Sequence, residues 1–222
     1  ENPRRAGGGE LAGGGRPHRR LTSFGIGLTK LRAIAKQVWR DHDLALKLWN
    51  ERNHDAKIIG LLIDDPKQLT RDQVEKQVDG AGAGMLSHVL SSCDATLPKS
   101  PIAFEIAKGW MASKDPVRRS CGYGLVYELA KDKKDKRLTD EFFLGCVEKI
   151  GNTIANEENW VRVGMGGALM SIGKRNKKLN AAAIKLAKAI GPIHFSDGDK
   201  KCEPMNVLKH LTSDYLRNKL GI

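Results

Sequence analysis

The sequence has 222 residues, 40% of them hydrophobic and 29% charged, which is enough to fold as one domain or as one elongated repeat array. Its formal net charge of +12 predicts a polyanionic partner and favours nucleic acid over a membrane surface. No apolar run approaches the roughly 20 residues that a membrane span requires, so we expect no membrane-spanning segment.

The chain opens with a Gly- and Arg-rich stretch, residues 1–20, which has no apolar periodicity. We interpret it as a disordered or non-native tail. Residues 21–222 are predicted to form a single helical-repeat domain, because apolar residues recur at helical spacing and no period-two alternation is sustained. Trp39 and Trp49 fall on apolar stripes and are predicted to be core residues. Helices are predicted over 28–39, 44–49, 54–62, 70–78, 85–90, 101–111, 115–129, 142–150, 159–172, 181–190 and 207–216.

The best-marked helix start lies at Asp115. This aspartate can cap the free amides, and Pro116 suits the first helical position. Arg118 and Arg119 follow in the first turn, where the helix dipole makes cations slightly unfavourable. An anionic partner explains such placement better than helix stability does.

Similar starts recur along the chain, in the second helix of each predicted pair. Lys57, Arg118 and Arg162 each follow an apolar residue near a helix start. Their irregular spacing predicts a further helix pair between the first two. Because stacked helical hairpins form a solenoid whose equivalent helices line one concave surface, we expect Lys57, Arg118, Arg119 and Arg162 to share a binding groove.

A second basic feature lies between the predicted helices over 159–172 and 181–190. Lys174, Arg175, Lys177 and Lys178 come close together in a segment without an acidic residue. Such a cluster is typical of phosphate contact. Because phosphate contacts position a protein without reading sequence, we expect no sequence-specific recognition.

Metal and cofactor sites are not expected. His194, Asp197, Asp199, Cys202 and His210 fit no compact zinc signature, and Asp-Gly-Asp is an ordinary turn. The sequence has no P-loop, no nucleophile elbow and no Rossmann fingerprint.

The cysteines carry no disulfide or metal pattern. The four are widely spaced, without a Cys-x-x-Cys pair. Cys93, Cys121 and Cys146 lie in apolar helical patterns, so we expect reduced core thiols of a cytosolic protein.

Several segments along the chain form a recognisable combination: GLTKLRAIAK (27–36), LALKLW (44–49), HDAK (54–57), DDP (64–66), IAKGW (106–110), VRR (117–119) and WVR (160–162). Together they resemble the AlkD-type DNA alkylation repair family, alkylpurine DNA glycosylases built from HEAT-like helical repeats. The resemblance covers about residues 24–190, and residues 190–210 resemble an extension seen in one branch of the family. It implies an all-α fold, a HEAT-like solenoid (α-α superhelix) with a concave basic cleft that cradles duplex DNA through its backbone.

The resemblance also implies a chemistry, from which this chain departs. Family enzymes excise cationic alkylpurines with one aspartate and two tryptophans, which stabilise the developing oxocarbenium ion by charge and by cation–π attraction. The best register places Gly84 at the first tryptophan, His88 at the aspartate and Gly167 at the second tryptophan. His88 and Asp79 are therefore the remaining catalytic candidates, with Asp94 as a further carboxylate if the register shifts.

Three functions remain open at this stage. The first is a protein that binds damaged, branched or distorted DNA, with doubtful excision activity. The second is an active alkylpurine DNA glycosylase with a reworked centre, so enzymatic activity stays undecided. The third is a protein-binding scaffold, against which the net charge of +12 counts. We expect a cytoplasmic, nucleoid-associated monomer without cofactor.

Overall fold

The structure, a computed structural model, describes residues 21–195 and 203–222. These residues form twelve α-helices, with two short 3-10 helices, and their β contacts are isolated bridges that pair Thr22 with Asn53 and Ile193 with Met205. The all-α prediction is confirmed. The helices are α1 (Leu28–Val38), α2 (His42–Asn50), α3 (His54–Ile63), α4 (Arg71–Ala81), α5 (Met85–Ser91), α6 (Ala103–Met111), α7 (Pro116–Leu129), α8 (Asp140–Thr153), α9 (Asn159–Ile172), α10 (Lys177–Ile190), α11 (Val207–Leu211) and α12 (Asp214–Leu220).

Some sequence predictions fall outside the described residues. They are the tail over residues 1–20 and the candidates Asp197, Asp199 and Cys202. In the described part of the chain, no helix is both long and apolar enough to cross a bilayer.

Side-chain caps fix where the helices begin. Asp115 accepts hydrogen bonds from the N–H groups of Val117 and Arg118, and Pro116 occupies the first position of α7, as predicted. Thr70 caps α4 in the same way. Asn176 caps α10, so the Lys177–Lys178 pair lies in the first turn of that helix.

The helices pack as two rows. Odd-numbered helices contact one another in chain order from α1 to α11, while α2, α4 and α6 pack on α3, α5 and α7 respectively. The pair α4–α5 is the extra pair expected between the helices of Lys57 and Arg118. This arrangement places equivalent helices side by side, as in a helical-repeat array.

Close packing holds α5 against α7. A Cβ atom at Gly124 of α7 would lie 2.3 Å from Ser91 Oγ of α5. Because real Cβ contacts do not occur at that distance, Gly124 is required for the approach of the two helices.

Three local predictions were wrong. Trp39 is 74% exposed, because α1 ends at Val38 and the backbone of Trp39 turns to φ 67°, away from the apolar stripe. Pro101 lies in the turn before α6 and does not open the helix. The predicted 207–216 helix is two helices, interrupted at Thr212 and Ser213.

Candidate nucleic-acid interface

A cavity of about 610 Å³ lies at the meeting point of α5, α7 and α9. Gly84, His88 and Gly167 all line it, although they come from distant parts of the sequence. The fold therefore brings together the residues that the resemblance places at tryptophan, aspartate and tryptophan. Trp160 also contributes to the wall of this cavity.

The two glycines leave the cavity open for different reasons. Gly84 has φ 137°, a conformation that residues with a side chain rarely adopt, so a tryptophan there would require a different backbone. At Gly167 an added Cβ would meet only Tyr127 Cδ2, at 3.9 Å, which is ordinary van der Waals contact. Neither position carries an aromatic side chain, and the backbone conformation at Gly84 disfavours one.

His88 contacts a cysteine in the wall of the cavity. Its Nε2 lies 3.1 Å from Cys93 Sγ, and Ser92 Oγ lies 3.6 Å from the same sulfur. The hydrogen bond to Cys93 raises the pKa of His88 above its ordinary value. Burial would raise the pKa of the Cys93 thiol, but contacts with His88, together with Ser92 and Arg32, lower it below its ordinary value.

Cys93 was expected in the core and is instead half-buried at the cavity. Cys121 and Cys146 are core thiols as predicted, and burial raises the pKa of each to about 12. Sequence reasoning missed the Cys93–His88 pair because Cys93 follows the end of α5 in a turn with φ 59°. The signal that could have revealed the pair is the separation of only five residues between His88 and Cys93.

Carboxylates near the cavity are each paired with a cation. Asp94 lies 3.2 Å from Arg32 Nε, and Glu128 accepts a hydrogen bond from Lys131 Nζ at 2.7 Å. All four side chains line the cavity. Asp79, the other predicted carboxylate, is not among the lining residues.

Arg118 and Arg119 are tied to acidic side chains. Arg118 lies 3.1 Å from Glu75 and 2.8 Å from Asp79, and the hydrogen bond to Asp79 is the main cause that raises its pKa. Arg119 binds Glu157 with two nitrogens, both at 2.7 Å. Both guanidinium groups therefore have intramolecular partners, and their contact with DNA stays a prediction.

Two further predicted cations, Lys57 and Arg162, also bond within the chain. Lys57 donates to the carbonyl of Trp49 and lies over its indole ring, and burial lowers the pKa of Lys57. Arg162 Nη1 reaches Asn159 Oδ1 at 3.5 Å.

Arg175 joins the end of α9 to the end of α7. It donates to the carbonyls of Ala130 and Asp132 at 2.7 and 2.6 Å and lies 4.5 Å over the ring of Phe143. These contacts give Arg175 a structural role in the predicted basic segment.

The lysines of the same basic segment are exposed. Lys174, Lys177 and Lys178 all lie on the surface, and Lys178 has a loose contact with Glu141 at 3.6 Å. Partial burial and the nearby ammonium groups of Lys131 and Lys219 lower the pKa of Lys174. Lys131 also lines the cavity, where it is paired with Glu128.

A smaller pocket, of about 320 Å³, adjoins the cavity. The Arg32–Asp94 ion pair lines both, and the exposed indole of Trp39 forms part of the smaller pocket. Its basic side chains are Arg32, Lys36, Arg40 and Lys99. Within the described residues, no group of three or more His, Cys, Asp or Glu side chains could hold a metal ion.

Comparison with known proteins decides the family. The sequence profile of the family described as DNA alkylation repair enzyme matches residues 15–192. The chain belongs to this family. Uncharacterized proteins of Listeria innocua and Listeria monocytogenes are each 23% identical to it, over 90% of this chain and 86% of theirs.

A solved structure has the same fold. It is described as a new family of proteins related to the HEAT-like repeat DNA glycosylases, with affinity for branched DNA structures. The TM-score is 0.78 at 26% identity, covering 90% of this chain and 84% of that one. The HEAT-like helical-repeat fold expected from the sequence is therefore confirmed.

Proposed function

We propose that this protein binds branched or distorted DNA and has lost the excision chemistry of the alkylpurine glycosylases. The proposal rests on the cavity: Gly84, His88 and Gly167 occupy its wall where the family resemblance expects two tryptophans and an aspartate. Among the residues that the structure describes along this cavity, no free carboxylate is flanked by two aromatic faces to stabilise an oxocarbenium ion.

Affinity for DNA is supported by the charge and by the structural neighbour. A net charge of +12 favours a polyanion, and the structural neighbour has affinity for branched DNA. The exposed lysines Lys174, Lys177 and Lys178 supply phosphate contacts that are independent of sequence.

The pocket at Trp39 favours branched over linear DNA. An exposed aromatic face beside basic side chains suits an unpaired nucleotide, whose base stacks while its phosphate meets the cations. A continuous duplex offers no such base, because every base is already stacked within the helix. DNA with unpaired bases at a branch point is therefore the ligand that uses this pocket.

The direct test is a binding titration with a three-way DNA junction and a linear duplex of the same composition and length. We expect tighter binding to the junction, and for both ligands an affinity that falls steeply with salt. Equal affinity for the two, or no binding at physiological salt, would contradict the proposal.

A glycosylase with a reworked centre is the second candidate. Glu128, Tyr127 and Trp160 line the same cavity and together provide a carboxylate and two aromatic rings. However, Lys131 donates to the Glu128 carboxylate and also lies 4.1 Å over the ring of Tyr127, so its cation already occupies the position that the lesion's sugar would need. Base release that disappears in Glu128→Gln would favour this candidate.

A further inference from the structure

We infer that Cys93 is a nucleophile that accepts an alkyl group from an electrophilic carbon entering the cavity. The inference does not depend on DNA binding, because a free alkylating agent is a sufficient donor. It assigns the cavity a chemistry different from hydrolysis of a glycosidic bond.

Geometry supports a reactive thiol at this position. Cys93 Sγ lies at the wall of a cavity of about 610 Å³, within 3.1 Å of His88 Nε2. His88 is itself oriented by Ser92, whose hydroxyl lies 3.4 Å from Nδ1. A thiol that faces open space and touches an imidazole can pass its proton to the ring.

Some charged groups near Cys93 and His88 favour the thiolate–imidazolium form of the pair, and others oppose it. Arg32 of α1 stabilises the thiolate and opposes the imidazolium, while Glu128 of α7 stabilises the imidazolium. Asp94, beside Cys93, is held by Arg32, and Lys131 is held by Glu128. The directions of both pKa shifts, up for His88 and down for Cys93, agree with a thiolate–imidazolium pair.

The reaction is balanced without a further reagent. A lone pair of the Cys93 thiolate forms the S–C bond as the bond from that carbon to its leaving group breaks. The leaving group takes the electron pair, and where it needs a proton, His88 Nε2 supplies one and becomes neutral. A cationic alkylated base leaves as a neutral base and needs no proton. The thioether product is stable, so each protein molecule reacts once.

The first experiment measures alkylation of the whole protein by iodoacetamide, with peptide-mapping mass spectrometry to follow each cysteine. Cys121 and Cys146 are internal controls because they are buried. At pH 6 we expect Cys93 to react about tenfold faster than an ordinary exposed thiol and the two controls not to react measurably.

The variant His88→Ala separates activation from simple accessibility. Because His88 is exposed, the substitution should leave the fold intact, which circular dichroism checks. At pH 6 the rate at Cys93 should fall about tenfold, and at pH 9.5 the variant and parent rates should converge, since the thiolate then forms without help. Equal rates at pH 6, with an ordinary thiol titration in both proteins, would overturn the inference.

The second experiment identifies the donor. The protein is incubated either with methyl methanesulfonate or with duplex DNA that carries methylphosphotriesters or methylated bases. A methyl group found on Cys93 in either arm supports the inference, and the arm identifies the source as the free agent or DNA. Methylation in neither arm, with the DNA shown to be bound, would contradict it.

Discussion

Three arginines of the predicted DNA-binding set differ from the lysines of the basic segment in what they already contact. Arg118, Arg119 and Arg175 are partly buried, and each bonds carboxylates or carbonyls of another segment. Lys174 and Lys177 lie on the surface. The contrast teaches that a base near a helix start can serve the fold as well as a ligand. The bidentate guanidinium suits the first role, and the flexible ammonium suits the second.

The largest effect is expected at Arg119. Arg119→Ala removes both bonds to Glu157, whose side chain is only 8% exposed, and leaves a carboxylate buried without its partner. The free energy of unfolding should fall by about 3 kcal/mol, measured by urea denaturation. Arg119→Lys keeps the charge without the two-point geometry and should lose less. An unchanged stability in Arg119→Ala would contradict a structural role and leave ligand binding as the role of this arginine.

Trp39 should have the next largest effect, and only on binding. Trp39→Ala removes a stacking face and should weaken binding to a three-way junction by about 2 kcal/mol while linear duplex binding is unchanged. Stability should be unaffected because the side chain is 74% exposed. Trp39→Phe keeps an aromatic face and is the matched control. Equal losses for both DNA forms would place Trp39 outside the branch point.

The exposed lysines are expected to contribute without regard to DNA shape. Replacing Lys174, Lys177 and Lys178 together by Ala should reduce the slope of log affinity against log salt by about 2.7, if each contacts one phosphate. Urea stability should remain unchanged. The control replaces Lys47, Lys76 and Lys108, which lie on α2, α4 and α6 and not in the basic segment, and alters the net charge equally. The same reduction in the control would mean that net charge alone guides binding.

Arg118 should show the smallest effect. Its contacts with Glu75 and Asp79 are more exposed than the Arg119 pair, so Arg118→Ala should cost about 1 kcal/mol of stability. A large loss of DNA affinity without loss of stability would show that the arginine exchanges its carboxylate partners for phosphate. Arg118 would then contact DNA as the exposed lysines are proposed to do.

Most of the helices could be predicted from the sequence because their signals are local. Asp115, Pro116 and Thr70 fix helix starts by hydrogen bonds and φ angles that involve only neighbouring residues. The wrong prediction for Trp39 also has a local cause. A positive φ at this residue ends α1 and takes its side chain off the apolar face, and helical periodicity in the sequence gives no sign of that φ.

The candidate site was less predictable because it depends on distant contacts. The family resemblance put Gly84, His88 and Gly167 at equivalent positions, and the fold places all three on one cavity. The acids that hold Arg118 and Arg119 come from distant segments that pack against α7, whereas the partner of His88 lies five residues along, in the turn after α5. Residue type and spacing could mark these arginines as basic, but could not show that Glu75 and Glu157 lie opposite them.

The most direct test of the central claim is base release from a duplex that carries one alkylated purine, with protein in excess and the DNA shown to be bound. The account predicts release at the spontaneous rate, because Gly84, His88 and Gly167 provide neither the carboxylate nor the aromatic pair. Release well above that rate, lost in Glu128→Gln or His88→Ala, would contradict it and show that the cavity still cleaves glycosidic bonds.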